Sequence, residues 1–173
     1  WLAVTNRRYF LCRMTDELSL SRRNASPLAC ILLSLDGFRF YVDTYGYETV
    51  HHLFDHLVRV VKRQARQEDV VARLEDSELA ILMPRSDDQA AEALLRRVEQ
   101  GFAQSPFYLE GQPEPIRVHG GVVSLPLPYE EEVPGVEQVL RFAHHALHNA
   151  MHAHAADEEG DDAEGPMPLA FSI

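Results

Sequence analysis

Apolar and polar positions alternate along the chain with two different periods, and they predict helices and strands in turn. Leu28 to Leu35 is a near-continuous apolar run, the mark of a central strand covered on both faces. Val70 to Leu74 and Leu79 to Met83 have strand character and flank the polar tetrad Glu75-Asp76-Ser77-Glu78, which predicts a β-hairpin. Helical spacing governs most of the rest. Asn6 caps a helix to about Arg23, with Tyr9, Phe10, Met14 and Leu18 on one side, and Pro27 breaks it. After a turn containing Asp43-Thr44-Tyr45-Gly46, a second helix spans Glu48 to Gln64 and buries Val50, Leu53, Leu57, Val60 and Val61. Ser86 or Asp87 caps a third helix to about Phe102, with Arg96 and Arg97 toward its end to suit the helix dipole.

Tyr108 to Leu109 and Arg117 to Leu125 read as strands around a Gly111 to Pro115 turn, and Gly120-Gly121 implies a close backbone approach or a bulge. A last helix covers Val136 to Ala155. Residues 157–168 are acidic and rich in Gly and Pro, which predicts linker or disorder, and residues 169–173 pair as an edge strand. The order β-α-α-β-β-α-β-α implies an α+β domain, a mixed central β-sheet with helices on its faces, over residues 1–156, with 157–173 as a tail.

Composition sets limits on partners. A chain of 173 residues with 46% hydrophobic content is about one domain and can build a core. Its net charge of −11 excludes a nucleic-acid polymer as partner, since phosphate neutralisation needs a basic face, but leaves room for a small nucleotide held by a few arginines. Cys12 and Cys30 read as reduced core or near-core thiols of a cytosolic protein. No apolar run approaches the ~20 residues that span a bilayer, no signal peptide opens the chain, and the reading is a cytoplasmic domain without membrane contact. A start at Trp1 suggests a domain cut from a longer protein.

The hairpin, with Arg66 and Asp69 leading into it, resembles the signature hairpin of the GGDEF family, bacterial diguanylate cyclases that join two GTP molecules into cyclic di-GMP. Val4-Thr5-Asn6-Arg7-Arg8-Tyr9-Phe10 is similar to the Leu-x-Asn-Arg-Arg-x-Phe that opens such domains. Ser34-Leu35-Asp36-Gly37-Phe38-Arg39 stands where the family has Asp-x-Asp-x-Phe-Lys. The resemblance covers about residues 1–155 and implies a nucleotide-cyclase palm-like fold. It also shows what is missing. Where the family writes Gly-Gly-Asp/Glu-Glu-Phe, this chain has Glu75-Asp76-Ser77-Glu78-Leu79. The two metal-binding acids are matched by Ser34 and Ser77, the guanine-reading Asn by Val42 and its acidic partner by His51. The Lys and Arg for the terminal phosphates are matched by Met151 and Ala155. A neutral hydroxyl does not replace a carboxylate opposite a divalent cation. The resemblance therefore implies a domain that is not an enzyme, with no catalytic residues, no metal and no cofactor.

The Arg-x-x-Asp spacing is retained. In many family members this pair lies five residues before the Gly-Gly and binds cyclic di-GMP as an inhibitory site, completed by an Arg on the following helix. Arg66, Asp69 and Arg97 occupy those positions. An arginine fork can donate to guanine O6 and N7, and a carboxylate accepts from guanine N–H groups. Against this stands an exposed i,i+3 ion pair at the end of the second helix, worth a few tenths of a kcal/mol. The readings are a cyclic di-GMP receptor, a nucleotide-free scaffold regulating a neighbouring domain such as a phosphodiesterase, and a GTP binder without turnover. A homodimer is compatible with each.

Three further patterns are weighed against plainer accounts. His144, His148 and His152, and His52 with His56, have the spacing of a metal face, against an exposed helical face. The acidic run at 157–164 lacks the ordered spacing of a calcium loop and reads as solvated linker. Phe38, Phe40, Tyr41, Tyr45 and Tyr47 read as core capping or as filling for a vacated substrate pocket.

Overall fold

A computed structural model describes residues 4–127 and 134–161, with side chains up to 153. The elements are α1 (Arg7–Asn24), β1 (Leu28–Leu35), α2 (Phe38–Gln64), β2 (Val70–Glu75), β3 (Glu78–Pro84), α3 (Asp88–Gln104), β4 (Phe107–Leu109), β5 (Gln112–Glu114), β6 (Val118–Leu125) and α4 (Val136–Asp161). The hairpin forms, and the main sheet has the order β2-β3-β1-β6. Every strand pair in it is antiparallel, so its mixed character is confined to an isolated parallel bridge between Thr5 and Ala72 at the β2 edge.

Alternation along β1 explains its unbroken apolar sequence. Ala29, Ile31, Leu33 and Leu35 join a core with α2 and α3, while Leu28, Cys30 and Leu32 join a second core with α1 and α4. A strand that feeds two cores has no solvent face to mark with polar residues. Each helix supplies its stripe: Phe10, Met14 and Leu18 from α1, and Val50, Leu53, Phe54, Leu57, Val58, Val60 and Val61 from α2, all buried. At about 25 cal/mol per Å² of apolar surface, each large side chain so buried contributes on the order of 1.5–3 kcal/mol before entropy is counted.

The glycine pair in β6 makes close approaches rather than a bulge, because its register with β1 runs unbroken through Leu32↔Gly121 and Leu33↔Gly120. A Cβ on Gly121 would sit 2.2 Å from the Leu147 backbone nitrogen of α4, and one on Gly120 would meet Leu95 of α3. The pair thus lets helices dock on both faces of β6.

Several expectations need correction. The turn expected at 43–46 is helical up to Tyr45; α2 starts at Phe38 behind a left-handed Gly37 and breaks at Gly46 (φ 81°), a conformation glycine adopts without strain. Asp87 rather than Ser86 caps α3, accepting from Ala90 N–H, and the helix continues to Gln104, so Arg96 and Arg97 lie in mid-helix and no basic residue serves its last turn. The expected Gly111 to Pro115 turn is mostly the strand β5, joined to β4 across Glu110-Gly111, both at positive φ as a two-residue hairpin loop requires. Tyr9 is 47% exposed instead of buried, and Cys12 is exposed while Cys30 is buried, which pushes its thiol up to about 12. Phe40 and Tyr47 are also exposed, Phe40 edge-on against the Tyr41 ring; Tyr41 packs against the core and donates to Glu114 at 3.1 Å. α4 continues through part of the expected linker to Asp161, and the edge strand expected at 169–173 lies outside the described residues. Among the described residues no helix is long and apolar enough to cross a membrane.

Candidate functional site

Two regions at opposite ends of β2 carry the candidate residues. At its C-terminal end is the hairpin tip. Glu75 pairs with Glu78 across Asp76-Ser77, and neither turn residue takes a positive φ, so the tip is built without need of glycine. Leu74 is the extra residue of a bulge between the Arg73↔Leu79 and Glu75↔Glu78 pairs.

Glu75, Glu78 and Arg73 at the tip are engaged within the molecule. Arg7 of α1 donates to Glu75 at 2.8 Å. Arg73 lies over the Phe54 ring, 4.3 Å from its centroid, and donates back to the Glu75 and Asp76 carbonyls. Glu78 meets His144 of α4 at 2.9 Å, while the other ring nitrogen of His144 is 2.8 Å from the Leu140 carbonyl. Both partners of that ring are acceptors; a neutral imidazole satisfies one and an imidazolium both.

Around the tip the structure locates the positions matched to the family's substrate groups. Ser34 is buried in β1, in register with Glu78 on one side and His119 on the other. Buried His119 approaches Asp36, its Nε2 3.6 Å from the carboxylate. Val42 is buried in the first segment of α2, and exposed His51 faces Asp55 at 3.8 Å in a groove of about 640 Å³ between α2 and the tip. Met151 lines a separate groove of about 490 Å³ with Glu78, His144 and His148, and the Ala155 side chain lies outside the described residues. The histidines of the expected metal faces engage other partners: His148 packs edge-on against His152 at 4.2 Å, and His56 bonds the Ser105 carbonyl and packs on Phe102. Among the described residues no group of three His, Cys, Asp or Glu is arranged to hold a metal ion.

At the N-terminal end of β2, Arg66 to Asp69 forms a turn after α2 rather than the last turn of a helix. Asp69 N–H donates to the Arg66 carbonyl at 3.2 Å, and Asp69 Oδ2 accepts from Arg66 N–H at 2.7 Å. The anticipated side-chain ion pair is replaced by this backbone contact. The other oxygen, Oδ1, is buried with no hydrogen-bond partner among the described residues. Burial first, and the Glu68 charge after it, push the Asp69 carboxyl above its ordinary value, against the pull of Arg66 N–H and of the Arg66 and Arg97 charges. Arg97, exposed on α3, is thus close enough to act on Asp69 electrostatically. The three side chains do not line one cleft, however: Asp69 is partly buried, and Arg97 is not among the residues lining the cleft of about 520 Å³ that Arg66 and Asp69 share with α1.

Sequence reasoning missed Arg7, Arg73 and His144 as partners of the tip, and Tyr9, Arg13 and Arg85 as walls of that cleft. Arg73 carried a signal, being the one charged residue in the Val70 to Leu74 run. The others became visible only with tertiary contacts.

Comparison with known proteins agrees with this fold. The family model described as "Diguanylate cyclase, GGDEF domain" matches residues 3–156. Diguanylate cyclase DgcP of Pseudomonas aeruginosa is 26% identical over 150 residues, 87% of this chain and 22% of the relative. Cyclic di-GMP phosphodiesterase NbdA of the same organism is 28% identical over 147 residues, 85% of this chain and 18% of the relative. The chain therefore spans about a fifth of the length of either. The GGDEF domain of DgcB from Caulobacter crescentus, solved in complex with c-di-GMP, superposes with a TM-score of 0.78 at 18% identity, covering 88% of this chain and 89% of that one. With the family match running over most of its length, the chain belongs to the GGDEF family.

Proposed function

We propose that this GGDEF domain carries out no cyclase reaction and acts as a regulatory receptor for cyclic di-GMP, bound at Arg66, Asp69 and Arg97. The observation that carries the reading is the contrast in partners. The Arg66 and Arg97 guanidiniums make no hydrogen bond or ion pair among the described residues, beside a carboxylate with one orphaned oxygen, whereas hydroxyls stand at both metal positions. Condensing two nucleoside triphosphates needs metal ions to neutralise charge developing on phosphate, together with a cation on the terminal phosphates. Ser34, Ser77 and Met151 offer neither. The DgcB complex with c-di-GMP supports the choice of ligand at the level of fold.

A second reading has its own support. NbdA is a phosphodiesterase of which this chain matches only a part, which favours a domain of this kind regulating a neighbouring phosphodiesterase without binding nucleotide.

Calorimetric titration with cyclic di-GMP and GTP, paired with an incubation in GTP and Mg²⁺, tests these readings. Expected are cyclic di-GMP binding, no cyclic di-GMP formed above a no-protein control, and weakening by Arg66→Ala of roughly 5- to 150-fold, the loss of one bidentate guanine contact of ~1–3 kcal/mol. Protein-dependent turnover overturns the non-enzymatic part. Absence of binding at high micromolar ligand overturns the receptor and leaves the scaffold.

A further inference from the structure

The Arg66–Asp69 turn opens on two sides. On one, Arg97 of α3 is near enough to act on Asp69 electrostatically; the other is the cleft of about 520 Å³ against α1, a size in the range of small-molecule sites. Arg13, Arg66, Arg85 and Lys62 line it, with Glu17, Glu68 and Asp69 as the acids. Most of these charges are already committed. Glu17 accepts from Arg13 at 3.0 Å, and the Arg13 guanidinium, held by the Tyr9 hydroxyl and by Glu17, has its pKa raised. Asp69 is tied to Arg66 N–H through one oxygen. The guanidiniums of Arg66 and Arg85 make no hydrogen bond or ion pair among the described residues.

Arg85 is also fixed in place. It sits at φ 51° between Pro84 and Ser86, where the buried Ser86 hydroxyl donates to the Pro84 carbonyl at 3.2 Å. A left-handed non-glycine residue is strained and persists only where its surroundings hold it. On the opposite wall Tyr9 keeps 47% of its surface open although the next residue, Phe10, is fully buried. In a chain with 27 acids and 16 Lys and Arg, two uncommitted guanidiniums lining one cleft with an open aromatic ring select for a flat, anionic ligand.

We propose that this cleft is the second wall of the ligand site, with Arg85 gripping a phosphodiester oxygen of a cyclic dinucleotide whose guanine Arg66 holds, and Tyr9 stacking the base that faces α1. The proposal rests on the cyclic di-GMP reading for the identity of the ligand, and adds residues on α1 and after β3. A cyclic dinucleotide has two bases and two phosphates, and the two sides of the turn give each half its own contacts: Asp69 and Arg97 for one base, Tyr9 and Arg85 for the other base and its phosphate.

The test is calorimetric titration of cyclic di-GMP into wild type, Arg66→Ala, Arg85→Gly, Tyr9→Ala and Tyr9→Phe, with thermal unfolding of each as a check on folding. Glycine accepts the φ of residue 85, so Arg85→Gly removes the guanidinium without adding strain. Expected are a weakening of about 5- to 30-fold and a shallower salt dependence for Arg85→Gly, a weakening of about 5- to 50-fold for Tyr9→Ala, and a change within about 2-fold for Tyr9→Phe, which keeps the ring. If Arg66→Ala loses binding while Arg85→Gly and Tyr9→Ala bind as wild type does, the second wall is overturned and the receptor reading stands. If wild type does not bind cyclic di-GMP, both are overturned.

Discussion

The two ends of β2, a strand of six residues, differ in how their charges are partnered. At the hairpin tip three of the charges are answered by another part of the chain: Glu75 by Arg7, Glu78 by His144, and Arg73 by the Phe54 ring and the tip carbonyls. At the Arg66–Asp69 turn the polar contacts are local, and the guanidiniums are left to solvent or ligand. The difference teaches how each kind of site is built. A cyclase centre needs groups from β1, the tip, α2 and α4 to converge, so a change in any element breaks it. An Arg-x-x-Asp turn needs only four consecutive residues and persists as long as the chain reverses there.

The largest expected effect comes from moving α4, which supports one end of β2 and not the other. In Gly121→Ala the new Cβ meets the Leu147 backbone nitrogen at 2.2 Å, and a backbone clash cannot be relieved by a rotamer change. A loss of about 3 kcal/mol in urea unfolding is expected. Hydrogen exchange should then quicken at the tip, which α4 holds through His144, and stay unchanged in the Arg66–Asp69 turn. Equal quickening at both ends would show that the two regions are not independent.

The same contrast between local and convergent features explains how much of the molecule was legible in sequence. The apolar run of β1, the hairpin and the stripes of α1 and α2 follow from local periodicity, and all appear as expected except Tyr9. The kink at Gly46 was read as a turn, since Asp43-Thr44-Tyr45-Gly46 has turn composition and nothing local reveals that Gly37 has already started the helix. The ion pair weighed as the plain alternative for Asp69 proved to be a contact with the Arg66 amide, because sequence spacing cannot distinguish the Arg66 guanidinium from its N–H. The pairing of Glu78 with His144 joins residues 66 positions apart and left no trace in the pattern of either segment.

A smaller effect is expected from that pairing. Glu78 is mostly buried but His144 is 44% exposed, so the contact is screened. His144→Ala should cost no more than about 1 kcal/mol by thermal unfolding, the ordinary value of a partly exposed pair. Cyclic di-GMP affinity should not change. A loss of several kcal/mol would mean that the tip is a structural keystone, and an altered affinity would join the two ends of β2 into one site.

The smallest stability effect separates structure from binding at the turn itself. Burial raises the Asp69 carboxyl, so the folded protein holds that proton more tightly than the unfolded chain does. A raised carboxyl stabilises the fold below the unfolded value of about 3.9, and that contribution is lost as pH rises through the raised folded value. At neutral pH the ionised Asp69 is therefore a mild cost. Asp69→Asn keeps an oxygen to accept from Arg66 N–H and never ionises, so a gain of roughly 0.5 kcal/mol, or 1–2 °C in Tm, is expected at pH 7. The gain should shrink as pH falls and vanish below about pH 3.9. Binding should move the other way, because an amide accepts less strongly from guanine N–H groups and its NH₂ opposes them. A variant that is less stable at pH 7 would make the carboxylate a structural anchor, and the turn would then resemble the tip, its charge used to hold the chain rather than left for a ligand.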